Sequence, residues 1–266
     1  MCVWRGDDPV WFRTSVESLL ANSRLPDEIV ITVDGPVPEA LDGVIAEYEK
    51  NPLFNIVRLP ENRGHGEARR AGLAACQNDL VAIMDADDIS SPDRFAKQLP
   101  RFEADPSLSV VGAQITEFIG TPDNIVSRRA VLESDSDIKQ DMKKRCPMNL
   151  VTVIFRKSDV DKAGGFIDWH CEEDYYLWLR MAEAGMRFEN LPDTLVNVRV
   201  GEGMYGRRGG RAYYASEKKL QKYMLDKKII TRTRYLVNVS KRFIVQRLLP
   251  NRLRGWVFRH FARKGA

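Results

Sequence analysis

Two short, almost wholly apolar runs, at residues 28–33 and 80–84, each stop at an aspartate. The first is Glu28-Ile29-Val30-Ile31-Thr32-Val33 before Asp34-Gly35; the second is Leu80-Val81-Ala82-Ile83-Met84 before Asp85. Such runs are shorter than core helices, and they lack the alternation of a strand with one wet face. They read as strands buried on both sides, the signature of a parallel sheet covered by helices. Helical spacing fills the intervals. Residues 10–22 put Phe12, Val16, Leu19 and Leu20 on one face, and residues 41–50 and 67–76 also read as helices, with a further strand at 54–59. The chain is therefore expected to be α/β. In such sheets ligands bind beyond the carboxyl ends of the strands, which places Asp34 and Asp85 on one rim.

Downstream, residues 92–105 predict a helix, 108–118 and 150–155 strands, and 175–184 a helix with an aromatic face closed by Gly185. Residues 119–147 carry no assignable period. Beyond Gly201 come Gly- and Arg-rich residues and then basic amphipathic helices, so the expected division is 1–210 and 211–266. The 266 residues are 44% hydrophobic, which excludes a disordered chain and a disulfide-stapled miniature. No apolar run approaches the roughly 20 residues of a membrane span. The four cysteines, Cys2, Cys76, Cys146 and Cys171, form no CxxC pair, and no apolar leader opens the chain. Free thiols and a cytoplasmic location are expected.

The net charge of +4 conceals a division. Residues 199–266 hold 19 Lys and Arg against three acids, +16, which leaves −12 on the first 198 residues. A basic tail on an acidic body implies an anionic partner for the tail. Residues 229–263 mix bases with Tyr235, Leu236, Phe243, Ile244, Leu248 and Trp256. That pattern suits a helix lying on the anionic inner face of the plasma membrane, or a helical pair packed on the body with a solvated basic face. A nucleic acid is not expected as partner, since the acidic body repels a polyanion and no binding motif is present.

Three clusters can carry chemistry. In Asp85-Ala86-Asp87-Asp88 adjacent carboxylates repel one another, and an oxygen-preferring Mg²⁺ or Mn²⁺ would offset that charge while holding substrate phosphates. A solvated acidic turn or a helix cap is the other reading. Asn62-Arg63-Gly64-His65-Gly66 through Arg70 opens a helix with glycines and arginines, as a phosphate loop or as an ordinary turn. Glu172-Glu173-Asp174 precedes the aromatic helix, either as a capped N-terminus or as a general base in a cleft. The 62–72 loop is neither a Walker loop nor a GxGxxG, and no GxSxG elbow or HExxH occurs, which leaves covalent Ser or Cys catalysis unsupported.

In this order the motifs resemble the family 2 glycosyltransferases: Pro26-Asp27-Glu28 through Asp34-Gly35, Asn62-Arg63-Gly64 through Arg69, Met84 through Asp88, then Gly164-Gly165-Phe166 with Glu173-Asp174 through Arg180. The resemblance covers about residues 3–210 and is nearest to bacterial exopolysaccharide transferases of the amylovoran type. It implies a GT-A, Rossmann-like fold, a mostly parallel mixed sheet flanked by helices, here with basic helices at the C-terminus. It implies inverting transfer from a UDP-sugar to an acceptor hydroxyl, such as that of a lipid-linked oligosaccharide in exopolysaccharide or lipopolysaccharide synthesis. By resemblance Asp34 takes the uracil imide, and Asn62, Arg63 and Gly64 line the nucleotide pocket. Asp85 faces the ribose or the metal, Asp87 ligates Mg²⁺ or Mn²⁺ with Asp88 in support, and Asp174 is the base with Glu173 beside it. Where some relatives place a metal-binding His, this chain has Arg199, Arg207 and Arg208, expected to clamp a diphosphate. The family's first strand is central, whereas this chain offers only Met1-Cys2-Val3-Trp4. The expectation is a start a few residues too far downstream, with the neighbouring strands partly unpaired. A sugar-nucleotide binder without transfer activity is the alternative. A nucleotidyltransferase is disfavoured, because no Gly-rich basic loop lies near the N-terminus.

Overall fold

The computed structural model describes residues 1–201, 209–249 and 264–265. In chain order the elements are β1 (Cys2–Val3), α1 (Pro9–Leu20), β2 (Ile29–Val33), α2 (Glu39–Glu49), β3 (Phe54–Arg58), α3 (His65–Ala75), β4 (Leu80–Ala82), β5 (Ile89–Ser90) and α4 (Arg94–Ala104). Then come β6 (Leu108–Phe118), β7 (Ile125–Arg129), α5 (Asp135–Asp141), β8 (Ile154–Arg156), α6 (Lys157–Lys162), α7 (Glu173–Glu183), β9 (Arg187–Arg199), α8 (Arg211–Asp226), α9 (Arg232–Phe243) and β10 (Lys264–Gly265). The helix starts follow from local chemistry. Asp8 accepts hydrogen bonds from the Val10 and Trp11 amides ahead of α1, and the Thr231 hydroxyl accepts one from Arg234 N ahead of α9. Gly185, at φ 80°, ends α7 while Met186 N–H donates to Met181 O.

Two sheets result. β1, β2 and β3 pair in parallel, with Cys2 opposite Thr32 and Ile29 opposite Phe54. The second sheet is mixed, in the order β10-β7-β6-β8-β4, with β9 parallel to β6 and antiparallel to the short β5. The expected α/β mixed sheet is present, but its parallel pairings are confined to β1–β3 and to the long β6–β9 ladder. Apolar runs report burial on both faces and carry no information on strand direction. β7 returns on β6 after a short connection, which only an antiparallel neighbour allows.

The core has two parts. In one, α1, α2 and α4 cover β1–β3, β6 and β9 through Phe12, Ile31, Ile45 and Phe102. In the other, Trp178, Leu177 and Met181 of α7 pack with Phe155, Phe166 and Phe188. Burying one such phenylalanine contributes about 1.5–3 kcal/mol. Leu220 and Met224 of α8, with Ile230 after it, are buried in that same cluster, so the first C-terminal helix shares the body's core. Residues 150–155, expected as one strand, divide into a single 3-10 turn (Leu150–Thr152) and β8. β9 escapes sequence reading because Pro192 and Asp193 interrupt its apolar alternation; its register on β6 shifts between residues 112 and 115 for the same reason.

Candidate active site

Asp34 ends β2, and its carboxylate is already engaged. Oδ1 accepts from Arg63 N at 2.7 Å, while Oδ2 accepts from Gly64 N and Asn62 Nδ2, both at 3.0 Å. The strand end thereby grips the loop that opens α3. Gly35, at φ 81°, makes this approach possible: a Cβ there would lie 2.5 Å from Asn62 N. Sequence reading brought Asp34, Asn62 and Gly64 to one place, and the structure does too. The Arg63 side chain instead lies exposed beside Glu61.

The apolar strand β4 leads into Asp85, Asp87 and Asp88, whose surroundings differ. Asp88 is buried, and its Oδ1 accepts from Arg199 N at 2.9 Å, which directs this carboxylate toward β9. The Asp85 side chain is exposed and lies 3.6 Å from the Arg69 guanidinium. The Asp87 carboxyl is pushed up to about 6, chiefly by burial and then by the Asp85 and Asp7 charges. Burial, Asp85 and Asp87 likewise hold Asp88 well above the usual carboxylate range. Arg199 does not point into open space. Its guanidinium is 4.6 Å from the rings of both Trp11 and Phe118, Nε donates to Asp87 O at 3.2 Å, and an Nη donates to Gly120 O at 2.9 Å. Arg199 therefore braces the acidic turn. Arg207 and Arg208 lie outside the described residues.

Glu173 and Asp174 open α7 on the facing wall. The Arg69 guanidinium donates to Glu173 Oε1 at 2.5 Å, so one nearly buried cation spans from Asp85 to the start of α7. Asp174 is half-buried as a residue, with its Oδ1 accepting from Tyr175 N at 2.7 Å and its Oδ2 3.8 Å from Cys146 Sγ. Burial and the Glu173 charge raise its carboxyl, and Arg69 and Arg129 partly offset the rise. A carboxylate moved toward neutrality is a stronger base. Glu172, buried beside Glu217, is held well above the usual range by burial, then by Glu217 and Asp174. Arg242 of α9 pairs with Glu217 of α8 and donates to Lys144 O, which brings both C-terminal helices to this wall. Sequence reading missed Arg69, Cys146, Glu217 and Arg242. Arg69 alone carried a signal, as the arginine that ends the loop-to-helix motif.

One cleft of about 760 Å³ is lined by Asp34, Asn62, Gly64, Asp85, Asp87, Asp88 and Arg199 toward the strand ends and by Cys146, Glu172, Asp174, Glu217 and Arg242 opposite, whereas Arg63, Arg69 and Glu173 do not line it. Among the described residues, no three His, Cys, Asp or Glu side chains converge as a ready-made metal cage. The donor set nevertheless fits a hard cation. Asp85 and Asp87, two residues apart, the latter raised chiefly by burial and then by the Asp85 and Asp7 charges, match the one or two protein ligands Mg²⁺ takes when substrate phosphates complete its shell.

Comparison with known proteins agrees with this geometry. The family model described as glycosyl transferase family 2 matches residues 9–161. The chain is 37% identical over 223 residues to the amylovoran biosynthesis glycosyltransferase AmsE of Erwinia amylovora, covering 84% of this chain and 83% of the relative. It is 30% identical over 264 residues to the UDP-Gal:alpha-D-GlcNAc-diphosphoundecaprenol beta-1,3-galactosyltransferase of Escherichia coli, covering 99% and 95%. Among solved structures, S. aureus TarS 1–349 in complex with UDP-GlcNAc superposes with a TM-score of 0.65 at 14% identity, over 91% of this chain and 71% of that one. The mannosyltransferase PcManGT of Pyrobaculum calidifontis, in complex with GDP-Man and Mn²⁺, gives 0.57 at 16% identity over 95% and 70%. A rim of strand-end carboxylates facing a helix-borne carboxylate, on this fold and with this ancestry, makes the chain a glycosyltransferase of family 2 with the GT-A architecture.

Proposed function

We propose that the chain moves a sugar from a UDP-sugar to an acceptor hydroxyl by a single inverting displacement. The observation that carries this reading is the division of carboxylates across one cleft, with Asp85 and Asp87 at the strand ends and Asp174 on the facing helix. The nucleotide lies over Asp34 and the loop it holds, where Asn62, Gly64 and the start of α3 frame the base and ribose. Asp34 Oδ1 accepts one bond from the loop and keeps a lone pair for the uracil imide. Mg²⁺ or Mn²⁺, held by Asp87 and Asp85 together with the diphosphate and with Asp88 in support, would offset charge on the leaving nucleoside diphosphate. Arg199 keeps that turn in place, and Arg207 and Arg208 would meet the diphosphate from the segment that follows.

Asp174 takes the proton of the acceptor hydroxyl as its oxygen attacks the anomeric carbon on the face opposite the leaving group. The C1–O bond to the diphosphate breaks as the new one forms, so inversion follows without a glycosyl-enzyme. Glu173, tied to Arg69, fixes the start of α7 and with it the base. The two named relatives support a saccharide acceptor, and the E. coli relative's name supports a lipid-linked one. No helix among the described residues is long and apolar enough to cross a membrane. A peripheral seat on the anionic inner membrane face is supported by α9 and the turn after it. Leu236, Phe243, Ile244 and Leu248 are exposed there among Arg232, Arg234, Lys241 and Arg247. Sedimentation with anionic vesicles, lost on Leu236→Ser with Leu248→Ser, tests this seat; retention in both forms would contradict it. For the chemistry, Asp174→Asn is expected to abolish transfer while UDP still binds; equal loss of both would overturn the assignment of the base.

A further inference from the structure

The wall that carries Asp174 also carries three arginines, and no step of the proposed reaction uses them. Lys143-Lys144-Arg145 is a basic run inside the acidic first 198 residues. Lys144 is exposed, and the Arg145 side chain is 43% exposed. Arg145 donates through Nε to Asp141 at 2.6 Å, and its Nη groups hold no hydrogen bond among the described residues. Arg242 of α9 donates to Lys144 O at 3.1 Å, so its guanidinium reaches the residue next to Arg145. Arg129 of β7 donates to Cys146 O at 2.7 Å and to Met148 O at 3.2 Å. All three arginines line the cleft, and they meet on one short stretch, residues 144–148. The Cys146 thiol of that stretch lies 3.8 Å from Asp174 Oδ2. The acids nearby are already engaged: Glu217 pairs with Arg242 and Asp141 with Arg145, while burial, then Glu217 and Asp174, push Glu172 well above the usual carboxylate range. Phe243, the residue after Arg242, is exposed, as is Leu236 on the same helix. The basic end of the cleft therefore sits beside the apolar residues offered to the membrane.

We propose that Arg145 and Arg242, backed by Arg129, form a second anion subsite, which holds the diphosphate of an acceptor whose sugar is joined through that diphosphate to a lipid chain. The assignment rests on the proposed transfer, with Asp174 as its base. With one acceptor hydroxyl at Asp174, the anomeric end of that sugar points away from the base, and the guanidinium groups come next along the wall. A planar fork of donors matches phosphate oxygens, and two forks from different elements suit two phosphates in a row. The lipid chain would leave past Phe243 and Leu236. This diphosphate is bound and not cleaved. Transfer makes its new bond at the acceptor hydroxyl, and the C1–O–P linkage of the acceptor stays intact. Arg242 lies across the cleft from Asp85 and Asp87, so the subsite would hold its anion while the donor's diphosphate occupies the strand ends.

The test titrates farnesyl diphosphate, a diphosphate on a short lipid chain with no sugar, into the full chain with chelator present and no donor. Farnesyl monophosphate is the companion probe. The variants are Arg145→Gln, Arg145→Lys and, as a charge control, Lys222→Gln, which removes a similarly exposed and similarly paired cation from α8. Arg242→Gln is combined with Glu217→Gln, so that no carboxylate stays buried without its partner. The parent is expected to bind the diphosphate at least about tenfold more tightly than the monophosphate. Arg145→Gln and the double variant should each weaken the diphosphate about tenfold or more, Arg145→Lys less, and Lys222→Gln not at all. Should the double variant melt early, the Arg145 pair decides alone. Equal binding of the two probes, equal loss in Lys222→Gln, displacement of the probe by excess UDP, or no binding to the parent would each overturn the proposal. No sugar moves in this measurement, so the two readings fail separately. A parent that binds the probe through Arg145 but transfers no sugar keeps the subsite and loses the reaction, and a working transferase that ignores the probe loses the subsite.

Discussion

At the strand-end side of the cleft, Asp85 and Asp87 share a short turn, and burial, then the Asp85 and Asp7 charges, push the Asp87 carboxyl up to about 6. At the helix side, Glu173 has Arg69, Glu217 has Arg242, and burial, then Glu217 and Asp174, push the Glu172 carboxyl well above the usual carboxylate range. Both sides crowd carboxylates, but one resolves the crowding internally and the other leaves charge for a ligand to offset. The contrast is the one that the proposed reaction needs: a strand end that would take a cation and a diphosphate, and a helix end where Asp174, proposed as the base, sits among paired neighbours.

The sharpest way to break that contrast is to neutralise the base. Asp174→Asn should lower transfer by about 10³-fold or more in a radiolabelled sugar assay, with UDP affinity little changed. Arg69→Met comes next, since it removes the cation that both ends share. Leaving Glu173 buried without its partner should cost about 3 kcal/mol, visible as a Tm fall of about 6–12 °C, and adding Glu173→Gln should restore part of it. If Arg69→Met melts as the parent does, the link between the two walls carries no energy.

The smallest effect has a definite sign. Because Asp87 is raised in the fold, its ionised form opposes folding, and the penalty is full above about pH 6 and absent below about pH 4. Asp87→Asn should therefore stabilise the protein by about 1–3 kcal/mol at pH 7.5 with chelator present, and by almost nothing at pH 4. A loss of stability at pH 7.5 would mean that the acidic turn is already compensated within the protein.

Much of this site was legible because strand ends announce themselves. The runs at 28–33 and 80–84 stop at aspartates, and the structure puts Asp34, Asp85 and Asp87 on one rim as that pattern requires. Asp88 was grouped with them by sequence, yet backbone direction turns it onto Arg199 N–H, a choice that adjacency in the chain cannot reveal. Glu217 and Arg242 were hidden for a different reason. They lie in amphipathic helices whose spacing shows a face but not what that face meets, and the basic tail's charge drew attention to membranes instead of to Glu172. β9 was missed at Pro192, where an interrupted pattern conceals a strand whose neighbour tolerates a register shift.

The division of labour across the cleft is tested most directly by calorimetric titration of UDP, with and without Mn²⁺, into the parent chain, Asp87→Ala and Asp174→Asn. The account predicts Mn²⁺-dependent binding to the parent and to Asp174→Asn, and loss of the Mn²⁺-dependent part, about 100-fold in affinity, in Asp87→Ala. Binding that ignores Mn²⁺, or that Asp174→Asn weakens as much as Asp87→Ala does, would contradict it.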